Sequence, residues 1–438
     1  MFKKLLFVVC FVLGFSSMSC AKVLDIHDFV LDNGLRVLVV SNYKAPVGIV
    51  KLYYNAGSFY DPIQKGGIAH LLEHMMFRGT KKVRGQEFNT ITEKNGADNN
   101  AYTTYLHTAY YEFSDISKLE LMLALEADRM ENLTLDKNIF LKERDIVLEE
   151  RMQRFETSPI TKFYEELNKK FWGEHPYSRP VSGEIEEIKG LSLDDAKDFY
   201  LKYYSPNNAI LVIVGDITSD EARVLSKKYF AKIKNKQKID DKKIVKNLKD
   251  DEIDFRVNLE SVNQPRFVSY WHLEHEKFSK KEILALEFLS EFLTGDDTSL
   301  LTNKLVYEDK KFLSFAMSVD YDEKYGGKIA FYAVPATEEM KFIDIKEIIK
   351  NEVINGVKKI SQDDVLKIRN EVLSNTIYML ENPTSIASFV GEMAIDGYSV
   401  DEIKNYDEMI KSISKDDVIN AWNKFYNLRR REIYGLVF

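Results

Sequence analysis

Apolar residues in the first half of the chain switch between period two and period 3.6, and the switches mark out elements. Phe29 to Ser41 (FVLDNGLRVLVVS) carries β-branched flanks around Asp32-Asn33-Gly34, which predicts a hairpin. Val47 to Ala56 alternates as a further strand, and Gly96 to Phe113, rich in Thr and Tyr, reads as two strands. Between them Gly66 to Thr80 (GGIAHLLEHMMFRGT) has the helical period, with Leu71, Leu72, Met75, Met76 and Phe77 as its buried positions. Helices follow at Ser117–Asn132, Asp136–Glu156, Ser192–Tyr204 and Glu221–Ile233, with a punctuated loop (HPYSRPVSG) within Gly173–Gly190 and a buried strand at Ala209–Gly215. Residues 232–254 are dominated by Lys and Asp and read as a linker. From about Phe255 the same general plan returns, with no residue-level repeat. The fold class expected is α+β: two similar halves, each a mainly antiparallel sheet packed with helices.

The Gly66–Thr80 helix is the one apolar element that carries several ionisable groups. His70 and His74 stand at i and i+4, so both imidazoles share a face and can meet one metal ion. Glu73 lies between them in H-x-x-E-H order, the inverted form of the HExxH zinc helix. Such spacing also arises by chance in amphipathic helices. Ionisable groups in an apolar helix are costly unless paired or metal-bound, which favours the metal. A catalytic zinc needs a third protein ligand, and a Glu on a neighbouring helix is the simplest supplier. Within Asp136–Glu156, Glu143 and Glu150 are two turns apart on one face, and spacing alone leaves Glu143, Glu149 and Glu150 as candidates. His107, alone in a strand, reads as structural. His272 and His275 follow a strand, so helical i,i+3 geometry is not expected of them.

Composition narrows the class. The 438 residues suffice for two or more domains, and 45% hydrophobic with 30% charged residues is ordinary for a globular chain. A net charge of −8 argues against nucleic acid as a partner. Lys3-Lys4, the apolar run Leu5–Phe15 and the small residues to Ala21 form an export signal at residues 1–21, with Ser-x-Ala as its cleavage site. The expected location is the periplasm of a bacterial envelope, with a lipoprotein anchored through Cys20 as the alternative. The only cysteines are Cys10 and Cys20, so cleavage after Ala21 leaves none, and any metal must be held by His and carboxylate. The domain expectation is a metal-binding peptidase domain at 22–231, a linker at 232–254 and a non-metal-binding domain at 255–438.

HLLEHMMFRGT, NNAYTTYLHTAYYEF, ERDIVLEE, HPYSRPVSGEIEEIKGLS and FYLKYYSPNNAILVIVGDI, in that order, resemble the pitrilysin/insulinase family of zinc peptidases, and most nearly its mitochondrial-processing-peptidase branch with bacterial relatives. The resemblance covers nearly all of residues 27–230. It implies a zinc endopeptidase acting on peptides or extended polypeptide, with Zn2+ held by His70, His74 and Glu150, Glu73 as general base, and Glu143 as a carboxylate bonded to a ligand His. It also implies that Asn100 and Ala101 lie on an edge strand that pairs with extended substrate. One departure stands out. Active members draw an Arg and a Tyr from a second half; the corresponding region here is Ser299–Tyr321, where Tyr307 is available but no Arg is, and no Arg occurs anywhere between Arg266 and Arg369, so either a Lys such as Lys304 substitutes or another subunit supplies the group. The expectation is therefore a dimer, homodimeric or, preferably, heterodimeric with a metal-free homologous chain that supplies the missing groups. The alternative from another class is a non-catalytic binding or assembly subunit on the same scaffold.

Overall fold

The computed structural model describes residues 24–85, 87–237, 248–259 and 262–438, so the expected signal at 1–21 and much of the expected linker lie outside the described residues. The first half builds a six-stranded sheet from β1 (Ile26–Val30), β2 (Arg36–Ser41), β3 (Val47–Tyr54), β4 (Asp98–Thr103), β5 (Thr108–Asp115) and β6 (Ala209–Gly215), in the order β1-β2-β6-β3-β5-β4. The second half builds a five-stranded sheet from β7 (Asp251–Val257), β8 (Arg266–Leu273), β9 (Phe312–Asp322), β10 (Gly326–Pro335) and β11 (Arg431–Val437), in the order β7-β11-β8-β10-β9.

The repeat that is invisible residue by residue is plain in the topology. In each sheet the last strand, β6 or β11, inserts between an earlier strand that it meets in parallel and one that it meets antiparallel. An antiparallel pair, β5-β4 or β10-β9, then completes the far side and leaves β4 and β9 as outer edges. Strand β7 starts within the stretch read as linker. Its residues alternate between half-buried and exposed, so a period-two pattern of Ile253, Phe255 and Val257 is interleaved with charge.

Five helices of the first half frame the site: α1 (Ile68–Met76), α2 (Glu87–Lys94), α3 (Leu119–Asn132), α4 (Lys137–Thr157) and α5 (Pro159–Trp172). Helices α1 and α3 pack on one face of the first sheet, against Val50, Leu52, Tyr54 and Tyr110. The opposite face, with Leu38, Ile49, Tyr53 and Val212, is covered by the helix Pro383–Ile395 of the second half. The second sheet is treated in the converse way. Phe163, Leu167 and Phe171 of α5, spaced at i, i+4 and i+8, lie on Val268, Tyr270 and Ile433. The two halves thus each lend a helix to the other's sheet, and the seam between them is packed core. Among the described residues no helix is long and apolar enough to cross a membrane.

Beneath α1 and α2 lies a buried ionic cluster. The fully buried Arg129 guanidinium bonds Glu112 at 3.0 Å and Glu126 at 2.9 Å, and it stacks on the rings of Phe77, Phe88 and Tyr110 at 5.1, 4.6 and 4.4 Å. Burial, with Glu126 beside it, pushes the Glu112 carboxyl up. Removing one partner of such a cluster strands a buried charge. Arg129→Ala should therefore lower unfolding stability by about 3–5 kcal/mol, read from chemical denaturation.

Buried histidines at the seam give a second expectation. Burial pushes His175 down to about 4 and His272 down to about 3, against an ordinary 6.5. As pH falls below 6.5 the unfolded chain takes up these protons while the folded chain does not. Stability from these two groups is therefore present above pH 6.5 and is lost progressively as pH falls towards 4. His272→Gln should flatten the pH dependence of unfolding in that window.

Candidate metal centre

Helix α1 begins where the chain can approach another backbone closely. Gly67 sits at φ +86°, and a Cβ there would lie 2.5 Å from the Ser182 carbonyl oxygen. Gly183 sits at φ +80°, where a Cβ would lie 2.4 Å from the Gly66 carbonyl oxygen. Only glycine accepts both the left-handed backbone and the contact. The first turn of α1 is capped from a distance: Asp61 accepts from the amides of Gly67 at 2.7 Å and Ala69 at 3.2 Å. Arg179 in turn donates to the Asp61 and Pro62 carbonyls at 3.1 and 3.2 Å. Buried Arg151, the neighbour of Glu150 on α4, donates to the Gly183 carbonyl at 2.9 Å and to Glu165 at 2.7 Å. The loop at 179–183 is thus the joint that fixes α1 against α4.

Across that joint His70, His74 and Glu150 converge. Each offers a donor atom, and the three atoms lie within 4.8 Å of one another. The His70 and His74 ring centroids are 4.9 Å apart, and His74 Nε2 lies 3.8 Å from Glu150 Oε2. Of the three Glu residues that spacing left open on α4, the structure brings Glu150 into the cluster. Glu143 lies behind it, with Oε2 3.6 Å from His74 Nδ1 and Oε1 2.7 Å from Arg78 Nε. Burial raises the Glu143 carboxyl, but His74 and Arg78 outweigh it and hold the group below its usual value. Burial, together with His74 and Arg154, holds His70 down to about 3, so its imidazole is neutral near pH 7. Its Nδ1 is buried without a hydrogen-bond partner. Two imidazoles and one carboxylate are the donor set of a catalytic zinc, and the residues present fit that ion.

Glu73 is on the same helix, and its carboxylate accepts a short hydrogen bond from the Thr103 hydroxyl at the end of β4. Burial raises its pKa, opposed by Thr103 and His74. Asn100 and Ala101 lie on β4, the outer strand, where the Ala101 amide is taken by the Asn100 side-chain oxygen at 2.8 Å. His107 stands apart from the metal cluster, paired with Glu392 at 3.2 Å, and His272 and His275 form no ligand cluster among the described residues. Lys304 is held by Glu352 at 2.5 Å, and Tyr307 is half exposed. Sequence reasoning missed Asp61, Arg78, Thr103, Arg151 and Gly183. Their roles depend on contacts across the fold, and only the glycine in VSG gave a local signal of unusual backbone.

Residues 36–184 match the family model described as Insulinase (Peptidase family M16), and residues 190–372 match the model described as Peptidase M16 inactive domain. The chain belongs to peptidase family M16. Zinc protease PqqE of Helicobacter pylori is 29% identical over 419 residues, which is 94% of this chain and 93% of that one. A probable mitochondrial-processing peptidase subunit beta of Arabidopsis thaliana is 24% identical over 372 residues, 83% of this chain and 69% of its own. The crystal structure of a protease from Helicobacter pylori superposes with a TM-score of 0.82 at 26% identity, over 95% of this chain and 100% of that one. The M16 membership and the two α+β halves agree with what the motifs implied.

The close glycine contact can be tested directly. Gly183→Ala should loosen α1 from α4, lowering zinc affinity by about tenfold, the low end for residues that orient metal ligands, as read by chelator competition.

Proposed function

We propose that this M16 chain is a zinc-dependent endopeptidase that hydrolyses peptides or extended polypeptide segments. The observation that carries the reading is the convergence of His70, His74 and Glu150 beside the half-buried carboxylate of Glu73. His70, His74 and Glu150 hold the metal. When bound, zinc supplies Lewis acidity that activates water and polarises a carbonyl. Glu73 accepts the proton of the attacking water at its carboxylate and delivers it to the leaving amine. Its raised pKa suits that exchange, and the Thr103 hydroxyl on Oε2 orients it. Glu143 Oε2 faces His74 Nδ1 at 3.6 Å, where a small approach would let it fix the tautomer, and Arg78 holds the other carboxylate oxygen. Substrate adds as a further strand to the β4 edge, where pairing at Asn100 and Ala101 exchanges the local Asn100–Ala101 bond for one to the substrate backbone.

The same reading places the metal-binding domain at 22–231 and its metal-free counterpart at 255–438. It takes the active form as a dimer, preferably with a homologous metal-free chain, since Lys304 is engaged by Glu352 and no Arg is present in the corresponding stretch. A relative bearing a subunit name supports that arrangement. The signal-like residues 1–21 support export to the periplasm.

Glu73→Gln should retain about one zinc per chain while turnover falls by at least 100-fold, within the range of general-base catalysis. His70→Ala should instead lose the metal. Measurement couples zinc content to cleavage of a mixed unfolded-peptide library, with and without a candidate partner chain. Undiminished cleavage by metal-loaded Glu73→Gln would reject this mechanism.

A further inference from the structure

Helix Pro383–Ile395 lies beyond both matched family models, yet it reaches the strand that carries the site. Alternation along β4 sends successive side chains to opposite faces. Thr103 bonds Glu73 on the α1 face, whereas Tyr102 joins the apolar cluster on the other face, beneath Pro383–Ile395. There one carboxylate gathers three groups. Glu392 Oε1 accepts a short hydrogen bond from the Tyr102 hydroxyl and a longer one, 3.4 Å, from the Tyr53 hydroxyl of β3. Its Oε2 pairs with His107 Nε2 at 3.2 Å, just past the turn that leaves β4. That turn is closed by Thr104, whose amide and hydroxyl both donate to the His107 carbonyl, at 2.8 and 3.0 Å.

The approach of the helix is built for this contact. A Cβ at Gly391 would fall 2.1 Å from the Tyr53 ring, so the helix lies flush on the sheet there. One turn earlier, Ser388 accepts from the buried Lys51 ammonium at 2.9 Å. Ser388, Gly391 and Glu392 share one face of the helix at i, i+3 and i+4. Glu392 therefore grips β3, β4 and the turn between β4 and β5 at once, from behind the sheet.

We propose that Glu392 is a positioning residue for the reaction: it fixes the outer strand β4 from the rear and so sets both the edge offered to substrate and, through Thr103, the orientation of Glu73. The kinetic part rests on the peptidase reading above. A misplaced reacting group costs rate steeply, so a small shift of β4 is enough to be measured.

The test uses the full zinc-loaded chain with Glu392→Ala, Glu392→Gln and Tyr102→Phe. Amide hydrogen exchange is followed by peptide, and kcat and KM are measured on an extended peptide. Expected for Glu392→Ala is about tenfold faster exchange over residues 98–103 with β3 and β6 unchanged, a local opening rather than a global one. Zinc content is unchanged, kcat falls, KM rises, and kcat/KM drops about tenfold. Glu392→Gln, which keeps an acceptor for Tyr102, recovers part of the loss. Tyr102→Phe added to Glu392→Ala causes little further loss, because both act on one contact. Unchanged exchange at 98–103, or a rise shared equally by β3 and β6, overturns the proposal. Changed exchange at β4 with full activity in Glu73→Gln would instead leave the strand contact standing and sink the peptidase mechanism.

Discussion

Three candidate metal donors on two helices have to meet within a few ångströms, and the helices are separated by some sixty residues of chain that include two strands and two further helices. What makes this possible is a backbone contact too close for any side chain. Gly66-Gly67 at the start of α1 lies directly against Ser182-Gly183, and Arg151 of α4 seizes the same loop through the Gly183 carbonyl. Because α1 and α4 are rigid rods, fixing their separation at this joint fixes where His70, His74 and Glu150 point. Asp61 supports the joint by capping the amides that the first turn of α1 leaves open.

The rest of the first half supplies a floor for that pair of helices. Arg129 with its two carboxylates is an expensive arrangement unless every partner is in place, and its three aromatic neighbours come from the end of α1, from α2 and from β5. The cluster therefore couples the position of α1 to the sheet as well as to α4. Glu73 receives its orientation from a different quarter, the end of β4, through Thr103. The candidate chemistry is thus spread over two supports, a helix pair that gathers the metal donors and a strand edge that aims the base.

The reciprocal loan of helices ties the second half to the first more closely than two linked domains would be. Covering each sheet with a helix from the other half buries both faces of both sheets, and it places a second-half helix behind the strand that carries Thr103. A half that contributes none of the three clustered donors can influence the site by this route.

Much of this was written locally. The hairpin at Phe29–Ser41, the apolar helix with His70, Glu73 and His74, and the two Tyr-rich strands follow from periodicity and turn residues, since those forces act between near neighbours. The charged stretch hid β7, because an edge strand with one half-buried face needs few apolar residues. Spacing placed Glu143 and Glu150 on one face of a helix but could not say which of the candidates meets the histidines, since that depends on how α4 lies against α1. The sequence by itself determined which groups were available for chemistry and on which kinds of element they sit. Only the tertiary structure decided which carboxylate joins the imidazoles, that Asp61, Arg151 and Gly183 hold the helices in place, and that Glu392 grips β4 from behind. Apart from the Asp61 cap, which reaches only six to eight residues along the chain, those outcomes rest on contacts between segments tens to hundreds of residues apart, which no local pattern encodes.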